Sequence, residues 1–205
     1  MKTALAFILF AATASAEGPR ITFTKVFPNS VPAYVEIAVD KDGDAYYNDE
    51  PKGENPVKFK IGAADTAAIF ELADKLEHFV KPLESGLKVA FMGKKTFKYE
   101  DKGASHEATF NYSEDLEAKA LLDWFERISE TERYLFDLER AVRFDKLGVN
   151  DAILRMEAAR DQKRLVADEQ FLPLLDRIVK SENYMHMART RAAAITEAIR
   201  GKVGQ

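Results

Sequence analysis

A long apolar stripe with helical spacing runs through residues 114–148. Positions seven residues apart form two adjacent lines, Leu121, Ile128, Leu135 and Val142 on one and Trp124, Thr131 and Leu138 on the other. A period of about 3.5 residues kept over roughly four heptads is typical of a long helix that packs along another helix. At about 1.5 Å per residue, such a helix is about 45–50 Å long. The stripe therefore predicts a helical shaft that joins two halves of the protein.

Both ends of this shaft carry helix-terminating signals. Ser113 is the predicted N-cap, and the acidic residues after it suit the positive end of the helix dipole. Gly148 can adopt the left-handed conformation that closes a helix. The polar Thr131 is the weakest position of the stripe, so a break in the helix, if there is one, is expected near Ser129–Glu132.

Alternating apolar and polar residues precede the shaft and predict strands. The predicted strands are Ile21–Phe27, Tyr34–Val39, Asp44–Asn48, Val57–Ile61, Leu87–Met92, Thr96–Tyr99 and Glu107–Tyr112. Residues 64–79 have helical spacing, and the segment 87–99 is predicted to be a hairpin that turns at residues 93–95. Helices on one face of a mostly antiparallel sheet define the α+β class, which is the predicted fold.

The rest of the chain is predicted to be helical. Asn150 can cap a helix that runs to about Ala167, residues 171–179 form a second helix, and residues 181–200 form a third. We expect these helices to form a bundle against the shaft. The predicted organisation is a strand-rich α+β domain at 17–113, a long connecting helix at 114–148, a helical bundle at 149–200 and a flexible tail at 201–205.

The first sixteen residues have the pattern of a secretory signal peptide. Lys2 provides the positive start, residues 4–12 form a short apolar core, and Ala14-Ser15-Ala16 is a small-residue cleavage site. The apolar run is shorter than the roughly 20 residues of a membrane-spanning helix, which favours a cleaved signal peptide. A membrane anchor that is retained is the alternative. We predict a protein of bacterial type, periplasmic or secreted, that has no stable membrane anchor once residues 1–16 are removed.

Composition and charge narrow the functional classes. The chain has no cysteine and a formal net charge of −4 at pH 7, with acidic and basic residues interspersed. An exported protein without disulfides depends on its packed core for stability. Nucleic acid is not an expected partner, because nucleic-acid-binding domains present a basic surface.

Two groups of residues could bind a metal ion. Met185, His186 and Met187 offer the soft ligands that suit copper(I), but adjacent residues on a helix point about 100° apart. Packing of the methionines in a core is the alternative. Asp74 and His78 are four residues apart on a predicted helix, where an ordinary charged face is the alternative. We therefore assign neither a metal site nor a cofactor.

The acidic segment at residues 40–44 resembles the start of a calcium-binding EF-hand loop. The sixth position is Ala45 where a glycine is needed, and the twelfth is Pro51 where a glutamate closes the site. A hairpin turn is therefore the prediction for this segment, with weak cation binding as the alternative.

Lysines cluster around the predicted hairpin at 87–99. Lys88, Lys94, Lys95 and Lys98 are the candidate partner-binding residues. They would contact an acidic protein or an anionic envelope component of unknown identity. Lysines that protect an edge strand from pairing with other chains are the alternative.

The sequence contains no nucleophile elbow, Ser-x-x-Lys motif or dinucleotide-binding fingerprint. The leading hypothesis is an exported, soluble, non-enzymatic binding or interaction protein of unknown partner. Its α+β half would present a sheet or hairpin edge to that partner, and its helical half would either pack on the shaft or self-associate. One alternative is a periplasmic metal-binding protein or metal-dependent enzyme. A second alternative is a secreted inhibitor that uses the lysine-rich hairpin.

Overall fold

The computed structural model describes residues 18–203 and contains an antiparallel sheet followed by a helical region. The predicted α+β class is confirmed. The predicted signal peptide at residues 1–16 lies outside the described residues. Among the helices of residues 18–203, none combines the length and the apolar character needed to cross a membrane.

Six strands form one sheet in which all neighbours are antiparallel. In chain order the strands are β1 Arg20–Val26, β2 Tyr34–Asp40, β3 Asp44–Asn48, β4 Val57–Lys60, β5 Lys94–Asp101 and β6 Ala104–Phe110. Their spatial order is β4-β3-β2-β1-β5-β6. The central position of β1 follows from its pairing with β2 on one side and β5 on the other.

The described helices lie between the strands and after them. Their bounds are α1 Ala63–Lys75, α2 Leu116–Phe144, α3 Val149–Asp161, α4 Leu172–Lys180 and α5 His186–Val203. Short 3₁₀ turns at Glu77–Phe79 and Asp168–Phe171 follow α1 and precede α4.

Alternation along the strands buries one face of the sheet. Ile21 and Phe23 of β1 point to the same side as Ile37 and Phe97 on the neighbouring strands, and all four are buried. Phe125 of α2 stacks on Phe23 with ring centroids 5.0 Å apart. The first half of α2 therefore completes the core of the sheet.

The second half of α2 belongs to a different core. Leu121 and Phe125 pack with the sheet, whereas Leu138 and Val142 pack with α3, α4 and α5. The helix has 29 residues and joins these two hydrophobic clusters. The predicted shaft between a strand-rich half and a helical half is confirmed.

The ends of α2 differ slightly from the prediction. Asp115 is the N-cap in place of Ser113, because the Asp115 carboxylate accepts a hydrogen bond from the Ala118 N–H over 2.9 Å. The helix ends at Phe144, and Gly148 instead precedes the first residue of α3. α2 is continuous through Ser129–Glu132.

The predicted hairpin at 87–99 is wrong. Leu87–Met92 is not a strand, and β5 pairs with β6 around a turn at residues 102–103. The Asn111 side chain explains the difference. Its amide oxygen accepts from the Met92 N–H over 2.7 Å and its amide nitrogen donates to the Ala90 carbonyl over 3.0 Å. These bonds occupy backbone groups that a strand ladder would have used.

The boundaries in the helical half also differ from the prediction. α3 ends earlier, at Asp161, because the chain then turns back to α2, where the Val166 N–H donates to Thr131 Oγ1 over 3.0 Å. α5 begins later, at His186, and continues to Val203, beyond the predicted end of the bundle. The acidic segment at 40–44 forms the turn between β2 and β3, as predicted.

Candidate binding groove

A groove with two lobes runs along α2 on the helix-covered side of the sheet. The first lobe has a volume of about 290 Å³. It lies between the start of α2, the start of β5 and the end of β6. The second lobe has a volume of about 340 Å³ and lies beside the loop between β1 and β2. Lys25 and Glu126 line both lobes, so we treat them as one site and call it the α2 groove.

One face of α2 forms a wall of the groove. Its lining residues are spaced by about one helical turn: Lys119, Leu122, Glu126, Ser129, Glu130 and Arg133. Residues three and four apart share a helix face. This face is adjacent to the one that buries Leu121, Phe125 and Ile128 in the sheet core. α2 therefore packs with one face and presents the next face to the groove.

A row of four residues across four strands forms the floor. Lys25 on β1 is opposite Val35 on β2 and Lys95 on β5, and Lys95 is opposite Phe110 on β6. The core residue Phe23 lies two positions from Lys25, so the row faces the same side of the sheet as the core. Two lysines opposite each other are an unfavourable cross-strand pair in an isolated sheet.

The Lys95 ammonium group is buried and fully hydrogen-bonded. The residue is only 4% exposed, and its Nζ donates to the carbonyls of Asn111 at 2.7 Å and of Met92 and Gly93 at 3.2 Å each. An ammonium group has three N–H donors, so these bonds use all of them. Burial, followed by the charge of Lys25, lowers the pKa of Lys95. Lys95 therefore contributes a positive charge to the groove but has no free N–H donor for a ligand.

Lys25 and Glu126 stand between the lobes with half-buried side chains. Within residues 18–203, neither side chain makes a hydrogen bond or an ion pair with another residue. Lys119 lies over the ring of Tyr112, with its Nζ 5.3 Å from the ring centroid. Three ammonium groups and one carboxylate thus line the first lobe, together with the apolar side chains of Met92, Phe110 and Leu122.

An irregular segment, residues 87–93, borders the first lobe through Met92. Asn111 holds it in place through the two bonds described above, and Phe91 packs edge-on against Phe27 with ring centroids 5.8 Å apart. Gly93 has a φ of +94°, and a Cβ there would lie 3.0 Å from the Phe27 Cβ. The segment leaves several large apolar side chains exposed: Leu87, Val89, Phe91 and Met92.

The second lobe has a more polar lining. Ser30, Ser129, Glu130 and Arg133 surround it, and Pro32 and Val35 provide apolar contacts. Glu130 is already paired, because Arg164 Nε donates to it over 3.0 Å. The loop at its edge exposes Val31 almost completely. The Ser30 hydroxyl already donates to the carbonyls of Phe27 and Pro32, at 2.7 Å each. The lobe thus offers the Arg133 guanidinium as a donor and serine oxygens as acceptors to a polar ligand.

The lysines proposed from the sequence do not form one surface. Lys95 faces the groove and is buried, whereas Lys94 and Lys98 point to the opposite face of the sheet. Lys98 forms an ion pair with Glu100 at 2.7 Å. Lys88 lies on the irregular segment and is exposed.

The two groups of residues considered as metal ligands lie on different elements, one at the end of α1 and the other at the start of α5. His78 Nε2 is 2.8 Å from an Asp74 carboxylate oxygen, and the His78 ring stacks on Tyr99 at 4.0 Å. The segment of Met185, His186 and Met187 is exposed at the start of α5. In the described part of the chain, no group of three or more His, Asp or Glu residues is arranged to hold a metal ion.

Lys25, Lys119 and Glu126 were not among the site residues predicted from the sequence. These residues come from β1 and from the polar side of α2, and only the strand register and the helix orientation bring them together. The helical spacing of the polar residues on α2 was the one available signal.

Comparison of this chain with protein-family models and with curated proteins finds no match.

Proposed function

We propose that this chain is an exported, non-enzymatic binding protein and that the α2 groove is its binding site. Export is inferred from the signal-peptide pattern at residues 1–16. The observation that supports the binding site most directly is the half-buried Lys25, which has no hydrogen-bonding or ionic partner within residues 18–203 although it faces a concave surface. Half-buried charges normally find a partner in a folded protein, so an unpaired one in a groove suits a ligand.

The apolar side chains beside the groove support the same proposal. Exposed apolar side chains that cluster at the rim of a groove favour binding of a partner over simple solvation. In residues 87–93 they are held in a fixed irregular conformation by Asn111 and Phe27. The partner would contact the groove and this rim together.

NMR spectroscopy of the ¹⁵N-labelled mature protein tests the proposal. Envelope extract is separated into protein, lipid and polysaccharide fractions, and each fraction is added in turn. We expect one fraction to shift the amide signals of groove residues, such as Lys25, Asn111 and Leu122. Absence of shifts with every fraction, or shifts confined to other surfaces, contradicts the proposal.

A pair of charge reversals supplies the matched control. Lys25→Glu changes the groove, whereas Lys94→Glu makes the same charge change on the opposite face of the sheet. The shifts should disappear in the first variant and persist in the second. The reverse result would favour binding at the opposite face of the sheet, as the alternative hypothesis of a secreted inhibitor requires.

We also propose that the helical half self-associates through the end of α2. Phe136, Phe144 and Leu147 are 62%, 81% and 76% exposed. The two arginines between them, Arg140 and Arg143, are paired with acidic residues of the same helix. The surface is thus apolar with compensated charge, which suits contact with a second copy better than with a strongly charged partner.

Light scattering over a concentration series tests self-association. Phe144→Glu and Leu147→Glu should each shift the protein toward the monomer. Leu116→Glu is the control, because Leu116 is a comparably exposed apolar residue at the other end of the helix. A wild-type protein that stays monomeric at the highest concentration excludes this interface.

A further inference from the structure

We infer that the α2 groove binds an extended peptide that ends in an apolar residue with a free carboxylate. The terminal carboxylate would lie between Lys25 and Lys119 in the first lobe, and the preceding residues would follow α2 into the second lobe. This inference rests on the proposed binding function and specifies its ligand.

The charges in the first lobe select an anion. Lys25, Lys95 and Lys119 bring three positive charges, against one negative charge from Glu126. The Lys95 donors are occupied by carbonyls, so direct contacts to the anion come from Lys25 and Lys119. Hydrogen bonds from ammonium groups to a carboxylate are among the stronger polar interactions of proteins.

The walls of the first lobe select an apolar group beside that anion. Met92, Phe110 and Leu122 line it, and Met92 is an adaptable side chain that can fit different apolar shapes. A volume of about 290 Å³ is at the small end for ligand pockets, which suits one side chain together with a carboxylate.

The length and polarity of the groove favour a peptide over a lipid-like anion. Lining residues on α2 run from Lys119 to Arg133, which corresponds to about 21 Å at 1.5 Å per residue. An extended peptide of about six residues covers that distance. A hydrocarbon chain would have to enter the second lobe, where the Arg133 guanidinium and the acceptor oxygens of Ser30 and Ser129 would lose hydration without gaining hydrogen bonds. A peptide carbonyl can accept from Arg133, and a peptide N–H can donate to a serine oxygen.

Glu126 fits this arrangement. A carboxylate between the lobes would repel a second anion, but it accepts hydrogen bonds from peptide N–H groups just before the terminus. The Glu126 carboxylate therefore limits the anionic part of the ligand to the first lobe.

Fluorescence anisotropy with labelled hexapeptides tests the inference. The probes are peptides that end in Leu, Val or Phe with a free carboxylate, the same peptides as C-terminal amides, and unlabelled decanoate as a competitor. We expect the free-carboxylate peptides to bind, the amides to bind roughly tenfold or more weakly, and decanoate not to compete. Affinity should fall as salt is raised, because the contact is partly electrostatic.

Variants locate the contact. Lys25→Glu and Lys119→Glu should abolish peptide binding, Lys25→Arg should retain it, and Lys94→Glu should leave it unchanged. Melting curves of all variants confirm that they remain folded. If Lys25→Glu fails to fold, Lys119→Glu at the exposed start of α2 gives the same test.

The outcomes distinguish a failure of the proposed peptide ligand from a failure of the proposed binding function. Equal binding of acid and amide peptides, or competition by decanoate alone, overturns the peptide-terminus inference. If no peptide binds while an envelope fraction still shifts groove signals in the NMR experiment, the inference fails and the binding function stands. If neither experiment perturbs the groove, both fail.

Discussion

Glu132 shows how a single residue of α2 can oppose the stability of the fold. The side chain is almost fully buried where the two halves meet, and the hydrogen bond that it makes within residues 18–203 comes from Gln170 Nε2 at 3.0 Å. Burial raises the pKa of Glu132 to about 7, and the bond from Gln170 lowers it only in part. The folded state therefore binds a proton that the unfolded chain releases at lower pH.

Glu132→Gln should stabilise the protein above neutral pH. Because the folded pKa is raised, the wild-type protein loses stability as pH rises from about 4.5 through about 7, by about 3 kcal/mol in total. The neutral glutamine keeps the bond to Gln170 and removes this loss. Urea unfolding at pH 4.5 and pH 8.5 measures the difference, which should be large only at the higher pH.

Glu197→Gln, an exposed substitution on α5, is the control for the Glu132 experiment. It should leave the pH dependence of unfolding unchanged. A pH dependence in Glu132→Gln identical to wild type would mean that this carboxyl is solvated.

Gly93 sets the position of the segment beside the groove. Gly93→Ala should destabilise the protein by about 1–2 kcal/mol, because alanine disfavours a φ of +94°. It should also weaken binding in the groove, since the new methyl group meets Phe27 and displaces residues 90–93. Gly86→Ala is the matched control, because Gly86 also has a positive φ but open space around it. Equal effects of both changes on binding would show that the contact with Phe27 is unimportant.

At the level of elements, α2 organises the molecule with three faces. One face packs on the sheet and then on the helical bundle, a second lines the groove, and a third is exposed. The sequence pattern placed Trp124 and Leu135 among the packing residues, and both are partly buried against the two cores. Phe125, which the heptad pattern passed over, is fully buried. The reason is that the first half of the helix packs on the face of a sheet, which contacts a wider stripe of the helix than the seam of a coiled coil does.

Phe125→Ala should cost about 3–5 kcal/mol of stability, because it removes a fully buried ring and leaves a cavity. The ring contacts Phe23 and Phe97, with centroids 5.0 Å and 5.9 Å away. Trp124→Ala should cost less, since the indole is only partly buried. This smaller loss includes the contact with Arg127, which lies over the indole ring at 4.4 Å. Chemical denaturation of both variants gives the comparison, and a larger loss for Trp124→Ala would reverse the assigned roles.

At the scale of the molecule, residues 164–170 tie the two halves together beyond α2. Arg164 bonds to Asp123 and Glu130 on α2, and Val166 and Ala167 belong to the core of the sheet. The helical half therefore supplies part of the hydrophobic core of the strand-rich half.

We expect the full chain to unfold in a single cooperative transition. Calorimetry should give equal calorimetric and van't Hoff enthalpies. A fragment that ends at Leu147 should melt at a lower temperature, because it lacks Val166, Ala167 and the Arg164 ion pairs. Two separate transitions in the full chain, or an unchanged melting temperature in the fragment, would show that the halves are independent domains.

The sequence alone determined the elements whose side chains repeat with a clear period. The strands β1, β2 and β3 and the long α2 follow from alternation or from helical spacing, because burial of one face imposes that period on the residues themselves. Tertiary structure decided the segment 87–93, where Asn111, distant in the chain, takes up the backbone hydrogen bonds. It also decided the groove, because strand register alone sets Lys25 beside Lys95, and packing of α2 brings Lys119 and Glu126 to them. Local pattern cannot encode such contacts, since they depend on which elements pair and at which residue.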